Sequence, residues 1–298
     1  MEIIIQPKTA QSSTVARGKI AQMHTAHNRA RTRIVQSRQN SRVKELRFAL
    51  SHAGRRAKDP VALEGQHLVA EALRSGLTLT TVFLREGSER LLDSLIVTDE
   101  TEILILTEDV FHSAVSTETP QGIAALAIPV EFDADDLFTG VPLVVVAAEL
   151  RDPGNLGTLL RSAEAFGATG MILLPGTVSP WNSKALRASS GSAFRMPVIS
   201  LEKDAAIALL RKRGLQLLAS TVDGGEPALS IDFDRPTALF IGNEGAGLSP
   251  DLIAAADFRI TIPCPGPVES LNAAIAASVL LYEASRQRSH LINEPPKQ

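Results

Sequence analysis

A single cysteine, Cys264, in 298 residues excludes a disulfide framework within the chain and any metal site built from several cysteines. Aromatic residues make up only 4%, with one Trp and one Tyr, so a core must come from Leu, Ile, Val and Ala. No run approaches the roughly 18 to 20 apolar residues of a membrane span. The longest, Pro142 to Ala148, is of strand length. The opening MEIIIQPKTAQSSTVARGK holds too short an apolar run for a secretory signal, and the expected setting is cytoplasmic. The G-x-G-x-x-G dinucleotide fingerprint and the G-K-[ST] phosphate loop are also absent, which argues against a nucleotide-dependent oxidoreductase.

Charge is present but uneven. The net value of -3 conceals 13 Lys+Arg against 2 Asp+Glu in residues 1–58, 3 against 16 in residues 59–139, and 14 against 15 in residues 140–298. A basic arm on an acidic-to-neutral body points to a polyanionic partner. Residues 1–32 are polar, basic and without periodicity, the composition of a disordered extension. Order is expected from about Ser41, where SRVKELRFALSHAGR has the spacing of an amphipathic helix.

From Pro60 to Pro129, VALEG, LTTVFLR, ILIL and GIAALAIP have the pattern of strands. GQHLVAEALRSG and TEDVFHSAV have that of helices, which makes a small α/β unit. The acidic EFDADDLFTG looks like a linker over 129–139. A second α/β unit follows, with buried strands PLVVVAAEL, GMILLP, LQLLAS and TALFIG, helices from about Asn155 to Phe166 and over KDAAIALLRKRG, and a long Ala-rich helix from about Leu271 to Gln287. This alternation predicts a mostly parallel sheet covered on both faces, with ligands beyond the carboxyl ends of its strands.

Three loops occupy such ends. In LRDPGNLGTLLRSAEAFGATG, Asn155 is the expected helix N-cap. Leu156, Leu159, Leu160 and Ala163 share one face, Arg161 points away from it, and Gly157 leaves the backbone beneath Arg161 uncovered. TALFIGNEGAGLSP runs from a strand into glycines 242, 245 and 247, which allow close backbone approach, with Glu244 able to bind a polar ligand. ITIPCPGPVESLNAAIAAS stiffens a loop with Pro263, Pro265 and Pro267. Ser270 is the expected N-cap there, and Asn272 the polar residue of the first turn. Cys264 has no evident activating neighbour and is expected to pack as a small apolar residue. Taken singly, each loop is equally an ordinary cap or glycine turn.

In order, the three resemble the SpoU, or TrmH-type, RNA 2′-O-ribose methyltransferases: N-x-G-x-x-x-R, then I-G-N-E-x-x-G-L-S, then I-P-x-x-G-x-x-E-S-L-N entering a helix that ends L-L-Y-E. The resemblance covers 140–288. Residues 33–128 are similar to the substrate-binding domain that precedes the methyltransferase domain in many members, a fold like that of a ribosomal RNA-binding protein. The cue lies at Asn40 to Leu50 and Leu63 to Leu73.

The resemblance implies an α/β fold in which a small RNA-binding domain at 33–128 precedes a trefoil-knotted, parallel-sheet methyltransferase domain at 140–298. It implies S-adenosylmethionine as co-substrate, no metal, a homodimer, and an RNA substrate. Ribosomal RNA is preferred and transfer RNA is the alternative. Gly242, Ile262 and Leu271 match cofactor-binding positions. Asn155, Arg161, Glu244, Ser270 and Asn272 match catalytic and substrate-side positions. Arg161 is expected to stabilise charge, oriented by Glu244 and Asn155, because a guanidinium is a poor base. Phosphate contacts are expected from the basic stretch Arg29 to Lys58, with Lys184, Arg187 and Arg195. A non-catalytic RNA-binding factor of the same fold would be expected to lose Asn155, Arg161, Glu244 or Asn272, and all four are present.

Overall fold

The computed structural model describes residues 32–51 and 59–289. Of the extension expected at 1–32, all but Thr32 lies outside them, as do Arg55, Arg56 and Lys58 of the basic stretch, whereas Thr32 opens the first strand.

The first layer contains β1 (Thr32–Val35), α1 (Ser41–Ser51), β2 (Val61–Glu64), α2 (Gln66–Arg74), β3 (Leu79–Arg85), β4 (Glu102–Leu106), α3 (Glu108–Ala114) and β5 (Ile123–Ala127). Its five-stranded sheet has the order β1-β4-β3-β5-β2. β1, β4 and β3 are parallel, and β5 runs against both its neighbours. Order therefore begins before Ser41. The four residues of β1 are too few to show a period, and they gain their backbone partners from β4 far along the chain. α1 buries Val43, Leu46 and Ala49 against Phe83, Leu104 and Phe111.

The second layer contains β6 (Leu143–Ala147), α4 (Pro153–Ala165), β7 (Gly170–Leu173), α5 (Ser183–Ser189), β8 (Val198–Ser200), α6 (Lys203–Lys212), β9 (Gln216–Ser220), β10 (Glu226–Pro227), β11 (Thr237–Ile241), α7 (Pro250–Ala255), β12 (Phe258–Thr261) and α8 (Ala273–Gln287). The sheet order is β10-β12-β9-β11-β6-β7-β8, and every neighbouring pair is parallel. β6 and β11 are buried throughout, which is why they carry continuous apolar runs instead of alternation. The short elements β8, β10, β12, α5 and α7 went unmarked by periodicity. One apolar cluster runs from Leu68, Val69 and Ala72 of the first layer to Leu186, Phe194 and Met196 of the second.

The expected linker is structured. Residues Ala134–Leu137 form a 3-10 turn with a reciprocal cap between Asp133 and Asp136. Leu137 is fully buried, and its carbonyl accepts from Thr169 Oγ1 at 2.6 Å. At the far end of the domain, Arg288 is buried and donates to the carbonyls of Val141, Pro142, Phe233 and Arg235. It ties the end of α8 to the starts of β6 and β11. Burial lowers its pKa, partly offset by Asp234.

The acidity of the first layer has a structural counterpart. Arg33 and Arg42 both bind Glu102 at 2.9 Å, Arg38 binds Asp109, and Arg47 donates to the Ser113 carbonyl at 2.9 Å. Exposed pairs of this kind contribute only about 0 to 1 kcal/mol each. They do engage arginines expected to face RNA, so Arg33, Arg38 and Arg42 are paired with carboxylates of their own layer while remaining at its surface.

Gly157 is also not open. A Cβ there would lie 2.3 Å from the Ala185 carbonyl oxygen and 2.6 Å from Ala188 Cβ, so α5 covers it and packs directly on the α4 backbone. Gly157→Ala should cost about 1 to 3 kcal/mol of stability through overpacking, measurable by urea unfolding.

A second prediction concerns Glu64. It accepts from the Ser116 amide at 3.2 Å and hydroxyl at 2.7 Å, and from the Thr117 amide at 3.1 Å and its hydroxyl. Burial pushes its pKa up, but these donors outweigh burial and hold it below the ordinary glutamate value. A depressed folded pKa adds stability above the unfolded value, and that stability is lost as pH falls through the folded one. Glu64→Gln should therefore lose less stability than wild type between neutral pH and about pH 3, by urea unfolding at both.

Candidate active site

The three loops meet at the carboxyl ends of β6, β11 and β12, and one chain of side-chain hydrogen bonds joins them. It starts at Asn272, the N-cap of α8, whose Oδ1 accepts from the Ala274 amide at 3.0 Å and the Ile275 amide at 3.3 Å. With its oxygen turned to the helix, the Asn272 amide must point outward, and Nδ2 donates to Asn155 Oδ1 at 3.0 Å. Asn155 thereby has its own oxygen engaged, and its Nδ2 donates to Glu244 Oε1 at 2.6 Å. Each amide orientation is set by the one before it, and the chain ends on a carboxylate.

The caps differ from expectation. Asp152, not Asn155, caps α4, accepting from the Asn155 amide at 2.9 Å. Pro153 takes the first helical position, which pre-sets the helix, and the Asn155 side chain is left for the hydrogen-bond chain. Hydrogen bonds from the Asn155 amide and from Lys184 hold Asp152 below the usual aspartate value. Asn272, not Ser270, caps α8, and the helix begins at Ala273, two residues later than expected.

The glycine loop is held by Asn243, the asparagine of the I-G-N-E motif, whose structural part the motif alone does not reveal. Its Oδ1 accepts from the Gly245 amide at 2.8 Å and the Ala246 amide at 3.2 Å, and its Nδ2 donates to the Glu149 carbonyl at 2.8 Å. Glu149 has φ 53°, a conformation rare outside glycine. Asparagine in a glycine-rich loop is the signal for such a turn. A Cβ on Gly242 would lie 2.4 Å from the Gly247 carbonyl carbon and 2.6 Å from the Leu248 nitrogen. The close approach at Gly242 is thus to its own loop.

Between these loops lies a cleft of about 710 Å³ lined by Gly242, Glu244, Ile262, Ser270 and Leu271 among others. Cys264 also lines it and is exposed rather than packed. Arg161 is not part of this lining. It is exposed, and no hydrogen bond or ion pair joins it to another described residue. Asn155 and Glu244 bind each other instead of orienting it. Arg195 is likewise no free RNA contact, since it is ion-paired to Glu71 and Glu164. Lys184 is paired with Asp152 at 3.1 Å. Arg187 is exposed.

Comparisons with known proteins give a consistent result. The SpoU rRNA methylase family matches residues 142–282, and an MRM3-like substrate-binding domain matches residues 40–125. A 23S rRNA (guanosine(2553)-2′-O)-methyltransferase of Bacillus subtilis is 33% identical over 83% of this chain and 97% of its own length. The chain belongs to the SpoU rRNA methylase family. An S-adenosylmethionine-bound rRNA methyltransferase of Sinorhizobium meliloti superposes with a TM-score of 0.76 at 30% identity, over 88% of this chain and 99% of that one. The SpoU methyltransferase AviRb of Streptomyces viridochromogenes, in complex with the same cofactor, gives 0.75 at 28% identity over 84% and 99%.

This SpoU protein is an S-adenosylmethionine-dependent methyltransferase, and the cleft fits that co-substrate. Its volume lies within the range of about 300 to 1,000 Å³ usual for ligand pockets. Ile241, Ile260, Ile262 and Leu271 offer apolar walls for a flat base, and Asp223, Glu244 and Glu269 supply carboxylates to a cationic ligand. Among the described residues, no cluster suited to a metal ion is present.

The hydrogen-bond chain gives a separable prediction. Asn272→Ala removes the cap as well as the chain and should destabilise the protein by about 1 kcal/mol. Asn272→Asp keeps a capping oxygen but presents no amide to Asn155, so thermal stability should be largely retained while methyl transfer falls. Full activity together with retained stability in Asn272→Asp, by methyl-transfer assay and calorimetry, would show that only capping matters.

Proposed function

We propose that this SpoU methyltransferase methylates a ribose 2′-hydroxyl of large-subunit ribosomal RNA. The observation that carries the reading is the Asn272–Asn155–Glu244 chain, which unites the family's three motif loops at a cleft able to hold S-adenosylmethionine. The substrate-binding domain matched at 40–125 and the 23S rRNA activity in the name of the Bacillus subtilis relative support the choice of RNA. Transfer RNA is the alternative substrate.

Bound S-adenosylmethionine supplies a methyl group already activated by its sulfonium. The protein's residues then have to place the 2′-hydroxyl and manage the charge that develops as its proton leaves. Positioning of this kind is worth up to roughly 7 to 11 kcal/mol of a barrier. Arg161 is the residue assigned to the developing alkoxide or the adjacent phosphate, an electrostatic role suited to a permanent cation. Its exposed position suits contact with a macromolecule. Gly242, Ile262 and Leu271 hold the cofactor, and Ser270 with Glu244 shape the cleft mouth. Arg187 adds a phosphate contact.

The same proposal includes the knotted path implied by the family resemblance and a homodimer. Supporting the dimer, Ile275, Val279 and Tyr282 are 54%, 42% and 57% exposed and recur along one side of α8 at helical spacing.

Mapping of 2′-O-methyl sites in cellular RNA with and without the gene should show one ribosomal position lost. Arg161→Ala should abolish labelled-methyl transfer to that RNA while cofactor affinity is kept. Near-normal turnover of the variant would remove Arg161 from the chemistry.

A further inference from the structure

Arg161 and Glu164 are three residues apart on α4, the spacing at which opposite charges on a helix pair. They do not pair. Both carboxylate oxygens of Glu164 are taken by Arg195, with Nε to Oε1 at 2.6 Å and Nη2 to Oε2 at 2.8 Å. The remaining guanidinium nitrogen of Arg195 donates to Glu71 Oε2 at 3.0 Å and Ser75 Oγ at 3.2 Å, at the α2 end of the RNA-binding layer. The guanidinium is thus shared between the catalytic-layer helix and the substrate-binding layer. Such a two-pronged pair is stronger than a single-pronged one, and Glu164 is only partly exposed.

We propose that Arg195 is a positioning residue that keeps Arg161 unpaired. By occupying Glu164 it prevents the carboxylate from folding back on Arg161 and neutralising it before RNA arrives. Its bond to Glu71 holds it in that place. If the substrate-binding layer shifts away, Arg195 loses one anchor, so the availability of Arg161 depends on the seating of the domain that receives the substrate. The inference rests on the proposed role of Arg161 in methyl transfer.

The test compares single-turnover methyl transfer from labelled S-adenosylmethionine to protein-free large-subunit rRNA from cells lacking the gene. Arg195→Ala should slow transfer by about three- to tenfold, the range between an exposed helical pair and a partly desolvated one, with little change in cofactor affinity. Adding Glu164→Gln in the same chain should recover most of the loss, since a neutral amide cannot neutralise Arg161. Glu71→Ala cuts the anchor without freeing Glu164 and should cost less than Arg195→Ala. If the double variant is as slow as Arg195→Ala, the residue merely supports the domain junction and the proposal is wrong. Should Arg195→Ala fail to fold, Arg195→Gln, which keeps bulk but cannot neutralise Glu164, supports the same comparison with and without Glu164→Gln. An active Arg161→Ala in this assay would instead overturn the role of Arg161 itself, so the two failures are distinguishable.

Discussion

The orientation of the Asn155 amide is the constraint on which the site depends. The free amides of Ala274 and Ile275 at the start of α8 need an acceptor, and Asn272 provides it. That single requirement turns the Asn272 amide toward Asn155, and Asn155 in turn toward Glu244. A helix-capping demand at one end of the fold is thereby converted into a fixed carboxylate at the cleft. Asp152 makes this possible by taking over the cap of α4, since capping by Asn155 would have taken the side-chain oxygen that accepts from Asn272.

The loops are held as firmly from behind. Asn243 ties the glycine loop to the carbonyl of Glu149, and Gly242 allows the strand end to pass within contact of its own returning loop. Gly157 lets α5 sit on the α4 backbone. In each case the small or polar residue serves the protein's own packing. The close approach expected between glycine and ligand is here an approach between segments of the chain, with the cleft as its consequence.

Charge is likewise satisfied largely within the chain. The acidic surplus of the first layer faces arginines of the basic segment that precedes it, and these pairs leave fewer cations for RNA than composition implied. Arg195, which composition alone would place among RNA contacts, links Glu71 and Glu164. Among the described residues, Arg161 and Arg187 are exposed with no hydrogen bond or ion pair to another described residue, so their charge is not neutralised from within that part of the chain.

Much of the fold was legible in the sequence because its central strands are buried on both faces and its helices are long enough to show a period. β6, β11, α4 and α8 are of this kind. The strand β1, the turn at Ala134–Leu137 and the short β8, β10 and β12 were not legible, because they draw their hydrogen bonds and burial from distant partners. At the site, the order of the three motifs was sufficient to bring Asn155, Glu244, Ser270 and Asn272 to neighbouring loops and Gly242, Ile262 and Leu271 to one cleft. Which asparagine caps and which one bridges, whether an arginine is free or paired, and whether a glycine faces ligand or backbone were decided only by tertiary structure. Spacing along a chain fixes which residues can share a helix face, whereas a hydrogen bond is settled by what other groups compete for the same atoms in space.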